Sequence, residues 1–292
     1  MTPHPDRSLT KSSVANKYSH GHVLVLSGGV GRGGAARLAA RGALRVGAGL
    51  VTVGCRPAAV MENACRLDAV MLRAVDRAEG FLAFEGLGKV SAVCLGPGFG
   101  VGEACRAMVS AVLSNGGVEP HSTGWCVVLD ADALTSFEGD PSVLFAMLHE
   151  RCVLTPHMGE FRRLFPDIAA KLEAPAERGP AYSKVDAARE AAARAGCTVL
   201  LKGADTVIAS PDGRCAINSA AYERAAPWLA TAGSGDVLAG FIAGLLARGF
   251  EPQAAAETAA WLHVECARKF GPGLIAEDLP EQLPAVFRDL GL

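Results

Sequence analysis

A carboxylate stands where an anion could bind: Thr231-Ala232-Gly233-Ser234-Gly235-Asp236 runs directly into the apolar stretch Val237-Leu238-Ala239-Gly240-Phe241-Ile242-Ala243-Gly244-Leu245-Leu246. A glycine turn that opens a helix leaves backbone N–H groups unpaired, and the helix dipole adds partial positive charge at the same point, so the turn can hold an anion. An Asp there repels phosphate unless it takes the proton from a hydroxyl that attacks the phosphate. The same residues also read as an ordinary helix start, with Ser234 capping and Asp236 complementing the dipole. A short apolar strand is expected to lead into the turn.

Five further clusters could carry chemistry. Gly28-Gly29-Val30-Gly31-Arg32-Gly33-Gly34 satisfies G-x-G-x-x-G through Gly29, Gly31 and Gly34, which suggests a dinucleotide site. The acidic residue that such a site places after its second strand is missing, although Arg56 could meet a 2′-phosphate. A glycine turn that lets a helix pack closely, or a loop lining another substrate, explains the same residues. Gly96-Pro97-Gly98-Phe99-Gly100 permits close approach of a ligand to the backbone, or is a plain strand-to-helix connection. Asp130 and Asp132 could bind a metal or a sugar hydroxyl, or cap the next helix. His157 and Glu160 flank another turn, with no second histidine at zinc-ligand spacing. Lys202, followed by Gly203, Ala204, Asp205 and Thr206, makes a phosphate cradle or a rim lysine. Neither a Walker A loop nor a protein-kinase set is present.

The elements that must position these clusters alternate. Strands are expected at 22–27, 50–54, 91–95, 125–129, 152–154 and 198–201, with a hairpin through Pro211-Asp212-Gly213. Helices are expected at 34–46, 57–65, 103–113, 141–149, from Gly159, at 185–195, and as two closing helices from Val237 and Pro252. Continuously apolar strands separated by helices predict one α/β domain: a mostly parallel sheet covered on both faces. Ligands bind such a sheet beyond the carboxyl ends of its strands, and the polar clusters at 96–100, 130–132, 155–160 and 202–206 fall on that rim. The linker-like stretch 166–184 is read as a surface helix and loop.

The 292 residues are half apolar, and 28 Lys and Arg against 30 Asp and Glu give a net charge of −2, which argues against a nucleic-acid partner. Nine cysteines without a C-x-x-C pair read as reduced core thiols of a cytoplasmic protein. No apolar run is long enough to span a bilayer, and residues 1–19 read as a polar arm without a signal sequence.

In order, the Gly-rich first turn, Gly-Pro-Gly-x-Gly, Asp-Ala-Asp-Ala-Leu, Thr-Pro-His-x-Gly-Glu, Lys-Gly-Ala-Asp-Thr and Ala-Gly-Ser-Gly-Asp-Val-Leu-Ala-Gly resemble the ADP/ATP-dependent NAD(P)H-hydrate dehydratases of the ribokinase-like superfamily. The resemblance implies a three-layer ribokinase-like domain over residues 20–292. It implies dehydration of (6S)-NAD(P)H hydrate by phosphorylation of its C6 hydroxyl and elimination of phosphate. Asp236 would be the base, with Gly233, Ser234 and Gly235 receiving the phosphoryl group. Ala35, Gly98, His157 and Asp236 would contact the hydrated cofactor, and Lys202, Gly203, Ala204, Asp205, Thr206 and Gly235 would bind ADP or ATP. Glu160 would hold Mg²⁺ through water. A homo-oligomer, a tetramer in bacterial relatives, and a fused or separate epimerase are further implications. The family's Asn-Pro-x-Gly-Asn loop is replaced here by residues 218–228, and Ser234 stands for the commoner Thr. The alternatives are a ribokinase-like kinase of a vitamin precursor and an NADP-dependent reductase.

Overall fold

The computed structural model describes residues 9–11, 14, 16–116, 124–175 and 179–292. Among these residues nine strands form one sheet: β1 His22–Leu26, β2 Leu50–Cys55, β3 Met71–Ala74, β4 Ala92–Leu95, β5 Cys126–Leu129, β6 Cys152–Leu154, β7 Thr198–Leu201, β8 Asp205–Ala209 and β9 Cys215–Ser219. Their order is β3-β2-β1-β4-β5-β6-β7-β8-β9. The first seven in sequence run parallel, and β8 and β9 close the sheet as an antiparallel hairpin. Strands β1, β4, β5, β6 and β7 are buried along their whole length, which is why their sequences are continuously apolar instead of alternating.

Two hydrophobic clusters lie on opposite faces of the sheet, with alternate residues of β1 going to each: Val23 and Val25 to one, Leu24 and Leu26 to the other. The first face is covered by helices Gly33–Arg45, Ser234–Ala247 and Pro252–Phe270, and the second by Glu103–Gly116 and Lys184–Ala195. Helix Lys184–Ala195 starts where the sequence allows. Ser183 and Asp186 form a capping box, and Gly196 ends the helix in the left-handed region.

The glycines of helix Ser234–Ala247 serve a helix crossing. A Cβ at Gly240 would sit 2.1 Å from the Ala39 carbonyl oxygen, and one at Gly244 2.4 Å from Val46 Cγ1. The backbones of this helix and of Gly33–Arg45 therefore touch. Gly240→Ala is expected to destabilise the fold by about 2 kcal/mol, as overpacking against an immobile backbone does. Chemical denaturation would measure the loss, and a variant as stable as wild type would show that the two helices can part freely.

Several expectations are corrected. No strand leads into the 231–236 turn; the preceding residues form 3-10 turns at Tyr222–Arg224 and Pro227–Leu229. β3 is absent from the sequence reading because it is a four-residue edge strand with most side chains exposed. A third closing helix, Asp278–Asp289, is present despite Pro280 and Pro284, because Leu279, Leu283 and Val286 bury one face of it. The helix expected at 141–149 ends at Phe145. Near the N-terminus, Leu9 is buried and its carbonyl accepts from Arg248 Nη2 at 2.7 Å, so the chain is anchored at that residue. Seven of the nine cysteines are buried, and all nine are free thiols. Among the described residues, no helix is long and apolar enough to cross a membrane.

Candidate active site

The carboxyl ends of β4 to β7 deliver the polar clusters to one rim. Asp130 directly follows β5, Lys202 directly follows β7, and the Lys202 ammonium lies 2.8 Å from Asp130 Oδ1. Between the two aspartates, Ala131 is bent to φ +47°. Asp130 thus faces Lys202, while Asp132 Oδ2 accepts the Gly100 N–H at 2.8 Å. Neither carboxylate caps the short helix Asp132–Thr135. Gly96 at φ +126° lets the β4 turn pass: a Cβ there would lie 1.7 Å from the Asp130 carbonyl oxygen.

The Asp130–Lys202 pair stands opposite the start of helix Ser234–Ala247. Gly233 is the N-cap at φ +88° with no side-chain cap, so Ser234 is the first helical residue and its hydroxyl is free for another partner. That partner is His263, whose Nε2 is 2.9 Å from the Ser234 carbonyl and 3.3 Å from its Oγ. Burial lowers the imidazole to about 4, so the ring is neutral at pH 7, with Nε2–H donating to the carbonyl. A methyl at Gly235 would come 3.4 Å from Lys202 Nζ, which sets the ammonium beside the helix mouth.

Burial, reinforced by the charge of Asp130, pushes the Asp236 carboxyl up to about 7, against the pull of Lys202. A carboxyl tuned in this way can exchange a proton near neutral pH. Burial works against the Lys202 ammonium, but the carboxylates of Asp130, Glu160 and Asp236 outweigh it and hold the group above its usual value. Burial also raises Glu160, whose Oε2 accepts the His157 N–H at 2.8 Å. His157 returns the bond through Nδ1, which accepts from Gly159 and Glu160 N–H, so the two form a capping box at helix Met158–Leu164.

A cavity of about 650 Å³ opens from this cluster, large enough for a nucleotide. Its wall includes Lys202, Gly203, Ala204, Thr206, Ser234 and Gly235, and His157 lies on the same wall. Asp205 is exposed, opens β8 and does not line the cavity. Ala35 and Gly98 meet each other outside it: Gly98 is at φ +64°, and a Cβ there would be 3.3 Å from that of Ala35.

The first glycine turn does not form a Rossmann-type pyrophosphate site. Glu62 Oε2 accepts the Gly31 N–H at 2.7 Å, so a carboxylate already occupies the donor that a pyrophosphate would need. Gly28 is small because its Cβ would fall 2.0 Å from the Gly98 carbonyl oxygen. The turn packs two loops together, and the reductase reading loses its basis.

Two residues of the site escaped the sequence reading. Lys184 donates to the Lys202 and Asp205 carbonyls at 3.1 and 2.6 Å, tying down the turn after β7. His263 stands in an alanine-rich helix, and its only signal is a polar residue on a buried face.

A mostly parallel sheet between helices, with a carboxylate at a helix N-terminus beyond the strand ends, is the ribokinase-like architecture. A ribokinase-like superfamily protein from Enterococcus faecalis superposes with a TM-score of 0.76 at 23% identity, covering 96% of this chain and 91% of that one. The chain belongs to the NAD(P)H-hydrate dehydratase family, whose model matches residues 23–284. An ADP-dependent (S)-NAD(P)H-hydrate dehydratase from Neisseria meningitidis is 34% identical over 266 residues, which are 89% of this chain and 80% of that protein. A bifunctional NAD(P)H-hydrate repair enzyme from Gloeobacter violaceus is 38% identical over 259 residues, 87% of this chain and 46% of the relative. The chain thus spans about half the length of several curated relatives it matches. The ADP/ATP-dependent NAD(P)H-hydrate dehydratase of Bacillus subtilis, co-crystallised with ATP and Mg²⁺, superposes with a TM-score of 0.73 at 27% identity over 96% of this chain and 94% of that one.

Proposed function

We propose that this protein restores NADH or NADPH from its (6S) hydrate at the expense of ADP or ATP. One observation carries the reading: Asp236, raised to about 7, shares a helix mouth with the N–H groups of residues 233–235 and faces Lys202. The names of the Neisseria and Bacillus relatives supply the substrates.

In the first half-reaction the C6 hydroxyl oxygen attacks the terminal phosphorus of the nucleotide and its proton passes to the Asp236 carboxylate. The bond from phosphorus to the departing nucleotide breaks, leaving AMP from ADP or ADP from ATP. Residues 233–235 and Lys202 stabilise the charge on the transferring group. In the second, the ring nitrogen's lone pair expels phosphate from C6 and a proton leaves C5, restoring the 5,6 double bond. Phosphate leaves far more readily than hydroxide, which is what the nucleotide contributes.

Mg²⁺ fits the donors around the phosphate site. No cluster of three metal-binding side chains exists among the described residues, and Mg²⁺ that travels with phosphates needs only one or two carboxylates and keeps several waters. Glu160 would hold it through water. The ion would neutralise phosphate charge. Ala35, Gly98 and His157 are proposed to contact the hydrated cofactor, and residues 202–206 with Gly235 the nucleotide.

The test is to incubate the protein with NADH hydrate, Mg²⁺ and either nucleotide and to follow the absorbance of regenerated NADH. Regeneration that requires the nucleotide supports the reading. Stable accumulation of a phosphorylated product without NADH would make the protein a kinase instead.

A further inference from the structure

The loop between β9 and helix Ser234–Ala247 forms one wall of the large cavity, through Ala220, Ala226, Leu229 and Ala230 among others. At one side it is tied to the turn after β7, where the Ala220 N–H donates to the Ala204 carbonyl at 2.7 Å, and Ala226 N–H returns to Ala220 at 3.1 Å. Between these two residues the backbone is bent sharply: Tyr222 sits at φ +53°, a conformation that a residue with a Cβ avoids, and the residue is 91% exposed. Tyr222's own side chain has no packing that would hold such a bend. Something else in the loop must.

We propose that Arg224 is the positioning residue that holds this wall and so sets the affinity of the nucleotide subsite; the inference rests on the nucleotide-dependent reading above. Its guanidinium donates through Nε and Nη2 to Glu265 Oε1 at 3.1 and 2.9 Å and through Nη1 to Asn218 Oδ1 at 3.0 Å, and lies 5.8 Å from the centre of the Trp261 ring. Asn218 is itself buried and donates to the Ala260 carbonyl. Arg268 holds Glu265 from the other side at 2.7 Å and reaches the Glu223 carbonyl at 3.3 Å. Arg224 and Glu265 are about four-fifths buried, so water competes weakly with the pair. The loop is therefore pinned to helix Pro252–Phe270 at the same time as it is bonded to the segment 202–206. Ala260, His263 and Val264 of that helix line the cavity too, so the pin joins two of its walls. Arg224 does not itself line the cavity, and its effect must pass through the loop.

The test measures Arg224→Met, Glu265→Gln and the double variant in the NADH-regeneration assay, with calorimetric binding of ADP and of ATP in parallel. The expected result is a rise of about tenfold in nucleotide KM and Kd for Arg224→Met. kcat and the KM for NADH hydrate should stay within about twofold. The double variant should be no worse than Arg224→Met, because both remove one interaction. Arg224→Lys should recover only part of the affinity, since an ammonium cannot reach Glu265 and Asn218 together. Unchanged nucleotide affinity in a folded Arg224→Met would overturn the proposal, as would a fall in kcat at constant KM. If Arg224→Met does not fold, Glu265→Gln decides alone by the same two constants. A wild-type protein that binds nucleotide without regenerating NADH would sink the assigned reaction and leave the calorimetric test of Arg224 intact.

Discussion

Asp236→Asn is expected to lower kcat by about a thousandfold while KM for either substrate changes little. Asn keeps the shape and loses the ability to accept a proton, so the hydroxyl must attack without assistance. In the wild-type protein kcat/KM should rise with pH through about 7, where the burial-raised Asp236 deprotonates, and level off above it. That limb should vanish in the variant. The same substitution should stabilise the fold. The carboxyl titrates at about 7 when folded and near 3.8, the ordinary Asp value, when unfolded. The unfolded chain therefore loses its proton first, and stability is lost as pH rises from about 4 to 7. The cost is full above pH 7 and on the order of 2–4 kcal/mol. Thermal melts at pH 8 should show a higher Tm for Asp236→Asn than for wild type, and melts at pH 4 should show no gain. Equal Tm values at pH 8 would mean that Asp236 ionises without penalty, and the account of its basicity would fail.

Lys202→Met is the second large effect, and it combines two losses. Phosphoryl transfer loses a cation beside the helix mouth, which is expected to reduce kcat/KM by about a hundredfold or more. The fold loses the partner of Asp130, whose side chain is only 2% exposed. Leaving such a charge uncompensated costs about 3 kcal/mol. The pH profile separates these from a simple packing defect. Without the ammonium, Asp236 and Glu160 lose the cation that holds their carboxyls down, so the rising limb of kcat/KM should move to higher pH. Lys202→Arg should retain the limb near its wild-type position. A Lys202→Met enzyme that is slow but has an unshifted profile would place the lysine outside the electrostatic environment of the base.

The two substitutions differ in how far the sequence foretells them. Asp236 is legible from its neighbours, because a glycine turn before an apolar helix has few uses and an acid in it is conspicuous. Lys202 is legible as a rim residue, but its pairing with Asp130, 72 residues away, is not. Asp130 and Asp132 look equivalent along the chain. They part only because Ala131 takes a positive φ, which turns one carboxylate to the lysine and the other to the Gly100 N–H.

The alternation of apolar strands with helices determines a mostly parallel sheet, and with it the rim on which every polar cluster falls, because local pattern dictates element type and strands buried on both faces must be apolar throughout. Six ordered motifs determine the family. Only the tertiary structure decides the rest. Glu62 fills a donor of the first glycine turn from 31 residues away, so the Rossmann-type pyrophosphate site that the motif suggests is not formed there. His263 reaches the Ser234 carbonyl, and Arg224 pins the cavity wall to Glu265, through contacts between elements that share no local pattern. Burial beside Asp130 is what raises the Asp236 carboxyl to about 7. A pKa depends on the solvent and charges around a group, and those are assembled only when the chain folds.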